Sequence, residues 1–228
     1  MTREMRTDLE RIIGYKFSKI ELARLAFTHA SFSVNSTKRN NEKLEFFGDS
    51  LLNLLVTRYL VITQKDKSEG ELSKIRAKVV STHSLAEVVE QLDLERFMFL
   101  GKSELNSSQA NRRRMHANLY EALVGAIYVD GNFDDANAFV MRTLKDRIDN
   151  ESNAEILSDY KTALQELVQK RKKSKLIYEL ISRTGPDHSP TFCYNILLND
   201  EVIGTACGNS KAEAQLKASE IAYNNMCR

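Results

Sequence analysis

The sequence predicts a mostly α-helical, indeed all-helical, N-terminal domain followed by a small α+β domain of order α-β-β-β-α. Apolar residues recur at helical spacing from Leu9 to Ile148. Beyond Tyr178 the pattern changes to the two-residue alternation of half-buried strands. Between the two regimes Asp149-Asn150-Glu151-Ser152-Asn153-Ala154 has no apolar period; it reads as a linker and sets the domains at 1–150 and 156–228. A chain of 228 residues with 42% hydrophobic side chains is long enough to bury a core in each.

In order, Leu9, Ile12 and Ile13, then Leu22, Leu25 and Ala26, predict two short helices broken at Gly14-Tyr15-Lys16. His29, in Thr28-His29-Ala30-Ser31, reads as a buried histidine satisfied by backbone. A long helix runs from about Glu42 to Thr63, with Asn40 or Asn41 able to cap it. After the polar loop Gln64–Gly70, helix resumes from Glu71 through Ser81 and again from Ser84 to Leu92. Phe97–Gly101 is a short buried segment, and Asn106–Arg114 a loop that delivers Arg112, Arg113 and Arg114, either solvated or able to hold a phosphate backbone. Helices at Ala117–Val129 and about Asp134–Ile148 complete this half. The second half opens on a helix at about Asp159–Lys172 with Tyr160, Leu164, Leu167 and Val168 inward. Strands around Tyr178 and Leu180, and around Phe192, Tyr194 and Ile196, follow, with a hairpin turn at Asn199-Asp200. A closing helix from Ser210 puts Ala214, Ala218, Ile221 and Ala222 on its core face, and both helices lie on one face of the antiparallel sheet.

Two helices carry chemistry. On the first, at 100° per residue, Glu42, Glu45 and Asp49 fall within an arc of about 60°, while Leu44, Phe47, Leu51 and Leu55 cluster on the other side. Such crowded like charges repel unless something positive sits among them, and a hard cation with a preference for oxygen ligands, such as Mg²⁺, is the natural candidate. A solvated acidic face is the alternative. On the second, Asn118 and Glu121 share a face of an otherwise apolar helix, where a carboxylate is costly unless paired or bound to metal. Gly48, Gly125 and Ala126 permit close approach, so the two helices pack side by side and Glu45, Asp49, Asn118 and Glu121 form one oxygen-rich site.

The net charge of +2 decides nothing about partners. Three cysteines without CxxC spacing argue against a disulfide framework or zinc site and read as reduced thiols. The charged start and the lack of any apolar run near membrane-spanning length predict a cytoplasmic protein with no membrane association.

Asn41-Glu42-Lys43-Leu44-Glu45-Phe46-Phe47-Gly48-Asp49-Ser50 resembles the signature of the ribonuclease III endonuclease domain. Thr28–Ser31, Glu69-Gly70 with the helix that follows, and Glu121–Tyr128 resemble its other landmarks. Thr162–Glu166, Gly185-Pro186-Asp187-His188 and Gly208-Asn209-Ser210-Lys211 resemble a double-stranded RNA-binding domain. The resemblance covers nearly the whole chain and matches the short bacterial form of the enzyme. It implies a homodimer, with Phe46, Phe47 and Leu51 contributing to its seam, that cuts both strands of double-stranded RNA. The implied cofactor is Mg²⁺, with Mn²⁺ able to substitute. The implied ends are 5′-phosphate and 3′-hydroxyl with short 3′ overhangs, in rRNA, mRNA and tRNA processing and RNA turnover. Glu45, Asp49, Asn118 and Glu121 would hold metal, Asp49 and Glu121 as the essential pair, with Glu42 and Glu69 as supporting acids. Gln165 and His188 would touch minor grooves and Lys211 a phosphate.

Two positions depart from the family pattern. Asn118 stands where aspartate is usual, and Ala212 where a second basic residue often follows Lys211, with Lys217 and the Lys170–Lys173 run available to compensate. The alternative function, motivated by Asn118, is a double-stranded RNA-binding protein with a weakened or inactive nuclease domain.

Overall fold

The computed structural model describes residues 2–32, 40–102, 104, 107–169, 174–186 and 189–227, and within these all side chains but those of 154–159. His188 and the Lys170–Lys173 run lie outside the described residues. Two compact units divide between Asp149 and Asn150.

The first unit contains α1 (Arg3–Ile13), α2 (Ile20–Ala26), α3 (Glu42–Thr63), α4 (Glu69–Val79), α5 (Thr82–Gln91), a 3₁₀ turn at Glu95–Phe97, α6 (Gln109–Asp130) and the start of α7 (Phe133–Gln169). Helix α6 is the central post. Leu119, Tyr120 and every residue from Ala122 to Ile127 are buried, because α2, α3 and α5 all pack on it. A helix segment apolar on nearly every side, as α6 is from Ala122 to Ile127, has no other place than the middle of a core.

Side-chain caps set several helix starts. Thr2, Ser68, Ser81 and Ser108 each accept a hydrogen bond from the backbone N–H three residues on, and Ser68 forms a full capping box with Glu71. Each cap is worth about 1 kcal/mol. They move two expected starts: α4 begins at Glu69 rather than Glu71, and Arg112, Arg113 and Arg114 stand inside α6 rather than in a loop. Asn41, at the N-cap of α3, makes no side-chain cap bond; Asn40 Oδ1 instead accepts from the Glu42 N–H at 3.2 Å. His29 is half-buried and bonded locally, its Nδ1 lying 2.8 Å from Ser31 Oγ and accepting from the Ser31 N–H.

Two expectations about α3 are corrected. Leu51 is 6% exposed and faces the core, so it has no part in an outer seam; Phe46 is 79% exposed and Phe47 leans its ring on Tyr128 at 5.2 Å. The 22 residues of α3 are also, by length and a mean hydropathy of 1.2, long and apolar enough to cross a bilayer, although only a third of that span is buried. Its exposed apolar side chains include Phe46, Leu54, Val61 and Ile62.

The segment expected to link the domains is helical. Helix α7 continues from Phe133 to Gln169, through the boundary between the units. The second unit adds β1 (Leu176–Thr184), β2 (Thr191–Leu198), β3 (Glu201–Gly208) and α8 (Lys211–Met226), the strands forming an antiparallel sheet in the order β1-β2-β3. Asn199 and Asp200 both take positive φ, the conformation a tight two-residue hairpin requires. Leu164 and Val168 of α7 and Ala218 and Ala222 of α8 close over Ile196 from the same side of the sheet. Ile221 is the exception to the expected core face, being 41% exposed because the closest helix–sheet contact is made by alanines. The thiol reading is also corrected: Cys193 and Cys207 face each other across β2 and β3 and are joined by a disulfide, leaving Cys227 free and exposed.

Candidate active site

The site begins where α3 crosses α6. A methyl group placed on Gly48 would lie 1.8 Å from the Glu121 carbonyl oxygen, and one on Gly125 would lie 2.4 Å from the Leu44 carbonyl oxygen. Only glycine fits on either side, so the two backbones touch. The contact sets Glu45 and Asp49, which flank Gly48, against Glu121, whose own carbonyl is the contact point.

The electrostatics follow from that approach. Glu121 is half-buried, and its carboxyl is pushed up to about 7, first by partial burial and then by the charges of Asp49 and Glu45. The Glu45 carboxyl is raised as well, by burial first and by Glu42 next, with Asp49 adding to the push; a hydrogen bond with Asn118 and the positive charge of Arg114 pull it back. Four of the expected residues therefore meet: Glu45, Asp49, Asn118 and Glu121. Asp49 is exposed, and its Oδ1 accepts from Asn53 Nδ2 at 2.9 Å, the same amide also donating to the Asp49 carbonyl.

The two supporting acids stand further out. Glu42 is exposed and accepts from the Asn40 amide at 2.9 Å, yet its charge reaches Glu45. Glu69 is exposed in the first turn of α4, where Oε1 accepts from Ser73 Oγ, and it is not among the charges acting on Glu45 or Glu121. Among the described residues, no three His, Cys, Asp or Glu side chains stand close enough to share one ion as they lie. Asp49 is instead turned toward Asn53. Asn53 is the neighbour the sequence did not single out, and Arg114, expected with Arg112 and Arg113 in a loop, stands on α6 beside Glu45.

In the second unit, Gln165 is exposed on α7 and Lys211 is the exposed first residue of α8, whose N-cap is Ser210. The Lys211 ammonium and the Arg183 guanidinium lie 6.0 and 5.9 Å from the Phe192 ring centroid, which gathers positive charge at that end of the sheet. Lys217, expected to compensate for Ala212, has its side chain 44% exposed and pairs with Glu213 one turn before it at 2.6 Å. Lys161 donates to Gln215 and lies over Tyr178, a tie between α7, α8 and β1 that the spacing did not reveal.

A family model described as ribonuclease-III-like matches residues 19–148, and one described as the double-stranded RNA binding motif matches residues 160–226. Ribonuclease 3 of Treponema denticola is 39% identical over 222 residues, spanning 96% of this chain and 90% of that one. Ribonuclease 3 of Leptospira interrogans is 41% identical over 220 residues, spanning 96% of this chain and 89% of the relative. A solved nuclease domain of ribonuclease III from Campylobacter jejuni, described for flexibility in a region involved in its dimer formation, superposes with a TM-score of 0.56 at 32% identity. It covers 61% of this chain and 96% of its own.

Proposed function

Because the chain belongs to the ribonuclease III family of endoribonucleases and carries a double-stranded RNA-binding domain, we propose that its carboxylate cluster holds Mg²⁺ and cuts both strands of duplex RNA. The products would carry 5′-phosphate and 3′-hydroxyl ends with short 3′ overhangs. The observation that carries this reading is the glycine-to-backbone crossing of α3 and α6, which brings the charges of Glu45 and Asp49 to bear on Glu121.

The donor set fits the ion. Three carboxylates and the Asn118 amide carbonyl are hard oxygen ligands, and Glu121, raised to about 7 first by burial and then by Asp49 and Glu45, sits among like charges that a cation would relieve. When bound, Mg²⁺ supplies charge neutralisation at the phosphate and a more nucleophilic water; Mn²⁺ shares the geometry and would substitute. Asp49 and Glu121 hold the ion from the two helices, Glu45 completes the first helix's share, and Asn118 presents its oxygen while its amide donates to Glu45. Glu42 and Glu69 remain outer acids that draw cations toward the site. Gln165, His188 and Lys211 would bring the duplex in by its shape and phosphates rather than its sequence.

Cutting both strands needs two sites facing one duplex, hence a homodimer. Phe46, Leu54 and Val61 fall within about 80° of one another on α3, all exposed and flanking the acidic stripe, which suits a seam between two copies. Processing of rRNA, mRNA and tRNA, with RNA turnover, in the cytoplasm completes the proposal.

The test is a cleavage assay on a short RNA duplex with Mg²⁺ titrated from none upward, beside Glu121→Gln. Paired cuts by the wild type and none by the variant are expected. Binding without cleavage at every Mg²⁺ concentration would instead leave the second reading, favoured by Asn118, of a duplex-binding protein with a silent nuclease domain.

A further inference from the structure

The three consecutive arginines of α6 do not act together. Successive helix residues point about 100° apart, and the structure gives each guanidinium a different neighbour. Arg112 pairs with Glu95 at 3.8 Å, and Arg113 acts on Glu87 of α5. Arg114 stands one turn before Asn118 and two turns before Glu121, on the face of α6 that meets α3 at the carboxylates, and it is exposed. Among the described residues it has no hydrogen bond or ion pair, and Glu45 already takes a hydrogen bond from Asn118.

We infer that Arg114 is a substrate contact, taking a phosphate of the RNA strand that lies across the carboxylate cluster. This rests on the reading of the site given above. A polyanion approaching three carboxylates is repelled until a cation intervenes, and a guanidinium at the edge of the cluster offers two parallel N–H donors that match a phosphate. Neutralising the carboxylates weakens the hold of Glu45 on Arg114 and strengthens its hold on the strand, so the ion and the arginine act on the same phosphate chain from adjacent positions.

The test uses the full-length protein with Arg114→Gln, Arg114→Lys and Arg113→Gln, each checked for native helicity. At saturating Mg²⁺, Arg114→Gln is expected to raise KM for a short duplex by about tenfold with kcat little changed. Arg113→Gln, which removes the same charge from the other side of the helix, is expected to leave both alone. Arg114→Lys keeps the charge but not the fork and should fall between. As a readout independent of turnover, duplex affinity is measured against salt in a Glu121→Gln background, where Arg114→Gln should lower the slope of log affinity on log salt by about one phosphate's worth. Equal effects from Arg113→Gln and Arg114→Gln would overturn the inference, as would a changed Mg²⁺ requirement with KM and salt slope unmoved. If the wild type never cuts duplex RNA, the functional reading fails while the salt slope still decides on Arg114.

Discussion

Gly204 and Gly48 each bring two backbones into contact, one in each unit, and only the second makes a site. At Gly204 of β3 an added methyl would lie 2.5 Å from the Ala218 carbonyl oxygen and 2.8 Å from the Ala222 nitrogen of α8, within an apolar cluster. At Gly48 of α3 the same device meets the Glu121 carbonyl, but the residues beside the glycine are acids. The first contact ends in packing. The second leaves carboxylates that oppose one another, with Glu121 raised to about 7, so the fold itself holds charge that a bound cation would satisfy. Close approach is therefore a property of the scaffold, and the chemistry comes from which side chains the approach forces together.

The largest expected effect separates the two roles at once. Glu121→Gln removes a charge but no volume, so cleavage of duplex RNA should fall by at least about a hundredfold, while duplex binding by the second unit persists. With metal chelated at pH above 7, the same variant should melt higher than wild type, because the crowded carboxylates lose one member. A variant that loses activity and stability together would mean Glu121 is a structural residue like those around Gly204.

The glycines test the scaffold side. Gly48→Ala and Gly204→Ala each drive a methyl into backbone that cannot rotate away, and each should cost about 3 kcal/mol in its own unit. Their consequences should differ: Gly48→Ala lowers kcat along with the melting temperature, and Gly204→Ala weakens duplex affinity but spares cleavage at saturating substrate. Equal loss of kcat in both would erase the distinction drawn here.

Much of this was legible in the sequence, for physical reasons that also mark where legibility stops. The acidic stripe of α3, the apolar α6 and the small residues at 48 and 125 are local patterns, and they suffice to pair the helices. The continuity of α7 was not legible, because periodicity reports burial rather than helicity; Asp149–Ala154 lacks an apolar period but contains neither glycine nor proline to stop a helix. Whether Cys193 and Cys207 meet turns on a bulge. An unbroken ladder from the hairpin pair Leu198↔Glu201 would set Cys193 against Ala206, and the shift between Ile196 and Leu197 sets it against Cys207 instead. The separate directions of Arg112, Arg113 and Arg114 depend on the Ser108 cap, which converts a presumed loop into helix and so spreads three adjacent charges around an axis.

The acid–base behaviour of Glu121 gives the next effect in size. Its folded-state value of about 7 lies above its ordinary 4.5, so the native state holds that proton more tightly than the unfolded chain. The stability it contributes is complete below 4.5 and is lost as pH rises toward 7. Metal requires the deprotonated form, so affinity for Mg²⁺ or Mn²⁺ should fall about tenfold for each unit below 7. Melting curves against pH in chelator and calorimetric metal titrations at two pH values check the two halves, and Glu121→Gln should flatten the first. A metal affinity that ignores pH across this range would place the ion elsewhere.

The smallest effect concerns the one neutral member of the cluster. Asn118 lends a neutral oxygen and donates its amide to Glu45, which holds the Glu45 carboxyl down against burial and the push of Glu42 and Asp49. Asn118→Asp adds a negative ligand but withdraws that donor, so the gain in metal affinity is partly offset by a Glu45 that ionises less readily. The Mg²⁺ concentration for half-maximal cleavage should drop only about threefold. Without metal the variant should melt lower than wild type, since a fourth charge joins an unneutralised group. Opposite signs in the two measurements identify Asn118 as both ligand and spacer. An unchanged Mg²⁺ requirement with a lowered melting temperature would reduce it to the spacer alone, and the site would then be held by Glu45, Asp49 and Glu121 without a fourth oxygen.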